Sequence, residues 1–224
     1  MQCLSSETIS ILLLSLKVSG LAVSISSMVG VPLGVWLGLS RFALKPLLAT
    51  LVYTGMAMPP VVVGLVLYLL LSRSGPLGGL GWLLTPRAMV IAQVLLALPF
   101  VMGITMTAVA AVPSDLLLQI RSLGASSGQA RLAVLREARH GVFLAVAAAF
   151  GRSISEVGAV WIVGGNIRGH TRVLTTAIVL ETRQGQFALA LVLGAVLLTV
   201  AVLVNVLILR LQGSRGERSE EVRE

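Results

Sequence analysis

Charge is scarce in this chain, and cysteine, histidine and lysine are scarcer still. Of its 224 residues 12% are charged against 56% hydrophobic, with a mean hydropathy of +0.97. That usage excludes an ordinary water-soluble domain and points to an integral membrane protein. The single cysteine, Cys3, excludes an intramolecular disulfide and leaves no thiolate pair for a metal. His140 and His170 are far apart in sequence, so no zinc or redox chemistry is indicated. The two lysines, Lys17 and Lys45, each follow a leucine. A P-loop needs glycine directly before its lysine, so that backbone N–H groups and the ammonium converge on phosphate; none can form here. Glu156 is the sole acid within an apolar run, which leaves no intramembrane carboxylate pair. Enzymes are thereby set aside, no cofactor is expected in the chain itself, and transport against a gradient would need an ion gradient or another chain's ATPase.

What is present is a series of apolar runs. Thr8 to Leu39 is interrupted only by Lys17, Lys45 to Ser72 is uncharged after its first residue, and Ala88 to Val112 is uncharged throughout. Gly141 to Gly165 carries Arg152 and Glu156, and Phe187 to Leu209 is an unbroken Leu, Val and Ala run. Each approaches or exceeds the ~20 residues that cross a hydrocarbon core. The fold class predicted is all-α, a polytopic transmembrane helix bundle of five spans, or six if the long first run holds a second segment. The first run is read as one tilted helix preceded by an interfacial segment around Lys17. No basic residue precedes it and Glu7 stands at its start, so it is expected to stay in the mature protein and not to serve as a cleavable signal.

The net charge of +8 reports orientation here and not affinity for nucleic acid. Arg41, Lys45, Arg121, Arg131, Arg136, Arg139, Arg210, Arg215, Arg218 and Arg223 fall on one side of the predicted spans; Arg73, Arg87, Arg168, Arg172 and Arg183 fall on the other. The richer side should be cytoplasmic, placing the multi-pass chain in the cell membrane with its amino terminus outside, and 113–140 and a polar tail, 213–224, inside.

Glycines and prolines describe the bundle. Gly30, Gly34 and Gly38 line one helix face, where they admit a neighbouring backbone. Pro59, Pro60 and Pro99 lie well inside apolar runs and free carbonyls that lipid cannot satisfy. Two readings stand for them, packing bends or broken helices facing a path. In the inner loop, Leu116, Leu117, Ile120 and Leu123 recur at helical spacing, Gly124 to Gly128 is a small turn, and Gln129 to Arg139 resumes a helix. By pattern alone the hairpin rests on anionic lipid or docks a partner protein.

From Asp115 to Leu209 the chain resembles membrane permeases of ATP-binding-cassette (ABC) importers for oxyanions, with most similarity to the tungstate permease group. The resemblance is carried by Glu156-Val157-Gly158, by Gly165-Asn166, by the threonines from Thr171 to Thr176, and by Leu123-Gly124-Ala125-Ser126. Against that family's cytoplasmic signature, Gly124 and Val134 match, Leu118-Gln119-Ile120 replace Glu-Ala-Ala, and Arg136-Glu137 replace Leu-Pro. The resemblance implies a type I importer permease, a single domain over 1–224 that works as a homodimer in membrane lipid. Two ATP-binding-cassette ATPase subunits that bind ATP-Mg and an extracytoplasmic oxyanion-binding protein complete the importer. It also implies a coupling helix in the loop 113–140, with Leu123, Gly124, Ala125, Ser126, Ser127 and Gln129 at the ATPase contact. A molybdate or sulfate permease of the same class is the near alternative, and a self-contained carrier driven by an ion gradient the distant one.

Arg152 and Glu156 are spaced i and i+4, so on one helix each could neutralise a charge that alone costs about 3 kcal/mol at the bilayer centre. Either they lock the helix against a neighbour, or Arg152 faces a dianion path while Glu156 steadies it. Asn166, Pro59, Pro60 and Pro99 are assigned to the same path. Arg168, His170 and Arg172, with Thr175, are expected at a positive outer mouth.

Overall fold

A computed structural model describes residues 6–213, and every regular element among them is helical. Cys3, all but the first residue of the tail 213–224, and Arg215, Arg218 and Arg223 of the basic count lie outside the described residues.

The first apolar run forms one helix, α1 Ser6–Leu39, with Lys17 and Pro32 inside it. The expected interfacial segment around Lys17 is therefore not a separate element. Nothing near Lys17 interrupts the ladder, and the Ser15 and Ser24 hydroxyls donate back to the Ile11 and Gly20 carbonyls at 2.7 and 2.8 Å. At ~1.5 Å per residue this helix exceeds a hydrocarbon core of ~30 Å. The second run is divided into α2 Lys45–Met56 and α3 Pro60–Leu71, because no helix passes through Met58-Pro59-Pro60. Pro60 opens α3, where its missing N–H costs nothing. A 3-10 turn, Gly78–Leu80, leads on to α4 Pro86–Ala110, which stays continuous through Pro99. The inner-loop segment forms α5 Ser114–Ser122 and α6 Ser127–Glu137.

The fourth run is not one continuous helix. It is α7 Arg139–Ile154 and α8 Gly158–Gly164, bent by 56° at the break between them. After α9 Leu174–Arg183, α10 Phe187–Gly213 completes the described chain. Among the described residues, three helices are long and apolar enough to cross a membrane, and five spans result when each broken pair counts as one.

The chain packs as two compact units. The first takes the described parts of Met1–Ile25, Met58–Ala97 and Phe150–Leu203. Its core joins Val18, Val63, Leu67, Met89, Ala159 and Val163. α3 and α8 meet there at backbone distance: a Cβ on Gly64 would stand 2.8 Å from Ala159 Cα, and one on Gly158 2.9 Å from Val61 Cγ2. A second cluster ties Ile11 to Leu174, Ala177 and Leu193, fixing α9 on α1 and α10.

The other unit takes Ser26–Ala57, Leu98–Ala149 and the described part of Val204–Glu224. The glycine stripe of α1 lies on α4, where a Cβ at Gly34 would be 2.8 Å from the Met102 carbonyl oxygen and one at Gly38 3.0 Å from that of Met106. Val134 of α6 and its C-cap Ala138 pack with Val35 and Val109, so the helical hairpin is seated on the unit. Its corner is made by Gly124 in the left-handed region (φ +86°) and by a capping box at the start of α6. In that box Ser126 Oγ accepts the Gln129 N–H, and Gln129 Oε1 accepts the Ser126 N–H at 2.8 Å. Gly124 to Gly128 has G-x-S-x-G spacing, but it joins two helices instead of a strand and a helix. Ser126 is a helix cap and no nucleophile elbow.

Candidate functional site

The site grows from the break in the fourth span. α7 ends at Ile154, and Glu156 lies in the gap before α8 instead of on a continuous helix with Arg152. The predicted pair forms all the same, with Arg152 Nη1 2.9 Å from Glu156 Oε2. The other carboxylate oxygen, Oε1, accepts the Ala159 N–H at 3.0 Å and so satisfies a free donor in the first turn of α8. The Glu156 carbonyl accepts from Thr175 Oγ1 at 2.8 Å, and the Ser153 carbonyl, released at the end of α7, accepts from Gln93 Nε2 at 2.9 Å. The gap is thus held by backbone groups that three side chains, Glu156, Thr175 and Gln93, satisfy.

Burial divides the pair. The Glu156 side chain is 3% exposed and the Arg152 side chain 27%. Glu156 commits both oxygens, while Arg152 uses one of its five N–H donors on it. Beside them Gln93 Oε1 and Ser153 Oγ are buried with no hydrogen-bond partner.

The threonines from Thr171 to Thr176 are internal. Thr171 Oγ1 accepts the Ile167 N–H and donates to the Gly164 carbonyl, closing the end of α8. Thr176 Oγ1 accepts the Val173 N–H at the start of α9, and Ser15 Oγ of α1 accepts the Leu174 N–H at 2.9 Å. Thr171, Thr175 and Thr176 are all buried. Thr175, grouped with the outer basic residues on sequence, is corrected to a support of the Glu156 gap, because α9 is buried at its amino-terminal end.

Arg168 and Arg172 remain nearer the surface, but both turn to Glu7 at the start of α1. Arg168 forms a two-pronged ion pair with it, and Arg172 Nη1 stands 3.6 Å from Glu7 Oε1. Hydrogen bonding to Glu7 raises the Arg168 pKa above its ordinary value. These three residues border an open cavity of about 580 Å³ that also takes in Glu181 and Gln184. His170 is exposed and lines a different cleft with Lys17. Asn166, with positive φ and an unpartnered Oδ1, follows Gly165 at the far end of α8 from Glu156.

Of the predicted path residues, the structure brings Arg152 and Glu156 together and places Pro60 at the start of α3, whose next residue, Val61, packs on Gly158. Pro59 is the cap of that helix. Pro99 belongs to the second unit, against Gly55. In the coupling segment, Leu123 is 87% exposed, with Gly124 and Ser126 to Gln129 exposed beside it. Sequence reading missed Gln93, Ser15 and Glu7. The first two are isolated polar residues in apolar helices, a signal that shows a partner is needed but not which one.

Comparison with known proteins adds to this geometry. Residues 30–214 match the family model described as the binding-protein-dependent transport system inner membrane component. The chain is 46% identical over 204 residues to a probable anion ABC transporter permease protein of Haloferax volcanii, covering 89% of this chain and 88% of that one. It is 43% identical over 206 residues to the tungstate uptake system permease protein of Peptoclostridium acidaminophilum, covering 92% and 90%. Its fold is similar to that in a crystal structure of an amino acid ABC transporter with histidines, with TM-score 0.66, 19% identity and 93% of each chain covered.

Proposed function

The chain belongs to the inner membrane components of binding-protein-dependent transport systems, and from that premise we propose that it is the permease of an ABC importer for a tetrahedral oxyanion, tungstate foremost. The observation that carries the substrate class is the likeness, along nine-tenths of both chains, to a tungstate uptake permease. The site fits that class. Arg152 is a fixed cation with donors to spare, held by a carboxylate that is itself fully engaged, at a break where two half-helices meet. A guanidinium matches a dianion's oxygens in charge and in geometry.

In this reading the single domain 1–224 works as two copies in one membrane, with two ATPase subunits on the cytoplasmic side and an extracytoplasmic binding protein delivering the anion. The basic side, with the loop 113–140 and the carboxyl terminus, faces the cytoplasm, and the amino terminus lies outside. The corner from Leu123 to Gln129 meets the ATPase, which binds ATP-Mg and supplies the energy. Its exposed leucine and capped helix support that role better than a lipid-resting hairpin, because α6 already has its apolar side on Val35 and Val109. Asn166, Pro59, Pro60 and Pro99 are carried as further path residues.

Uptake by a deletion strain carrying this chain with its ATPase and binding protein tests the assignment. Labelled tungstate should accumulate, excess unlabelled tungstate should compete better than molybdate or sulfate, and an inactive ATPase should abolish the signal. Uptake that survives loss of the ATPase would replace the importer with a self-contained carrier. Stronger competition by molybdate or sulfate would move the substrate within the class.

A further inference from the structure

Apart from the Arg152 site and the Glu7 cavity, the first unit contains an open cleft of about 700 Å³ along α1, the turn after Gly78–Leu80, and the first turns of α4. Its walls are apolar, from Val18 and Leu21, Leu80 and Trp82, and Val90 and Ile91. Three basic side chains reach it from separate parts of the chain: Lys17 in α1, Arg87 at the start of α4, and His170 after α8. No acidic residue lines the cleft, and none of the three takes part in an ion pair among the described residues. By contrast Arg152, Arg168 and Arg172 of this unit have carboxylate partners, and Arg183 lies over the Trp161 ring.

Two cations, Lys17 and Arg87, collected beside an imidazole and without counter-charge among apolar walls in a membrane protein, call for an anion from outside the chain. The walls then select its kind. A small oxyanion gains nothing from Leu21, Val90 or Ile91, whereas an anion that carries a hydrocarbon chain uses both the charge and the walls. The position agrees. Arg87 opens a membrane-spanning helix and Trp82 precedes it, the residue types that mark the level of lipid headgroups. Lys17 lies further along α1, with a stem long enough to carry its ammonium towards that level.

We propose that this cleft binds an anionic phospholipid, its phosphate held by Lys17, Arg87 and His170 and an acyl chain lying along Leu21, Val90 and Ile91. The site is separate from the transport reading and does not depend on which anion is imported.

The experiment is native mass spectrometry of the full-length chain, with its partner subunits where they co-purify, after exchange into mixed phosphatidylglycerol and phosphatidylcholine. The wild type should retain phosphatidylglycerol preferentially, and Lys17→Gln with Arg87→Gln should lower that retention by about tenfold or more. A second variant, Leu21→Trp, keeps all three basic groups but fills the groove, and it should lower retention too. Equal retention by wild type and either variant would overturn the proposal. So would displacement of the lipid by inorganic phosphate or tungstate at low millimolar concentration, which would make the cleft a site for the free oxyanion.

Discussion

Glu156 holds Arg152 with one carboxylate oxygen, at 2.9 Å, and the first turn of α8 with the other, at 3.0 Å to the Ala159 nitrogen. One buried side chain thus orients the cation and joins the two halves of a broken span. Losing the whole side chain, as in Glu156→Ala, should therefore cost more than losing its partner's charge.

Replacing Arg152 with Gln leaves a buried carboxylate unpaired, and replacing Glu156 with Gln presents an amide donor to a guanidinium. Each should destabilise the folded chain by about 3 kcal/mol. Glu156→Ala should be worse, because it also frees the Ala159 N–H. The double change to Gln should recover much of the folded protein, measured as monodisperse protein on fluorescence-detected size exclusion. If Arg152 meets the anion, the recovered double variant will still fail in tungstate uptake. Recovery of both abundance and uptake would reduce the pair to a structural lock.

Gly64 is where α3 touches the α8 backbone. Gly64→Ala places a methyl 2.8 Å from Ala159 Cα, where backbone must move, and should lower stability by about 1–3 kcal/mol. Gly194→Ala in α10 meets nothing within 4 Å and should be neutral or stabilising by up to about 1 kcal/mol. Thermal unfolding of the two variants side by side checks the contrast. Equal melting temperatures would mean that α3 and α8 are not in such close register.

At the hairpin corner, Gly124 has open space around its Cβ direction but a left-handed backbone. Gly124→Trp should insert in the membrane normally yet prevent ATPase assembly or substrate-stimulated ATP hydrolysis. Leu123→Asp keeps the backbone and should reproduce the defect if the exposed leucine is the contact. Normal transport by both variants would remove this corner from coupling.

Around Glu7, opposite charges now make two arms available. Arg168→Gln with Arg172→Gln should lower uptake more at low than at high ionic strength. Glu7→Gln, which leaves both arginines unpaired, should raise uptake at low ionic strength. If Glu7→Gln and the arginine variant instead lower uptake alike at every salt concentration, the three residues act as a latch between α1 and the segment before α9.

The sequence by itself determined what depends on a few neighbouring residues and on solvent. Apolar runs long enough for a bilayer set five spans, Met58-Pro59-Pro60 broke the second, and Gly124 with Ser126 and Gln129 fixed the corner of the hairpin. In each the physical cause is local: transfer from water, a missing N–H, a left-handed residue, a cap. The break at Glu156 was harder to see because no proline makes it. Its only local sign is a carboxylate two residues before an apolar helix, and it is completed by Thr175 and Gln93 from elsewhere in the chain. Only the tertiary structure decided that Glu7 takes Arg168 across 161 residues, that Ser15 caps α9 across 159, and that the threonines near Thr171 face inward. A polar side chain inside an apolar helix must find a partner, but hydropathy and spacing are blind to which distant backbone or charge will stand opposite, and that is settled when the helices pack.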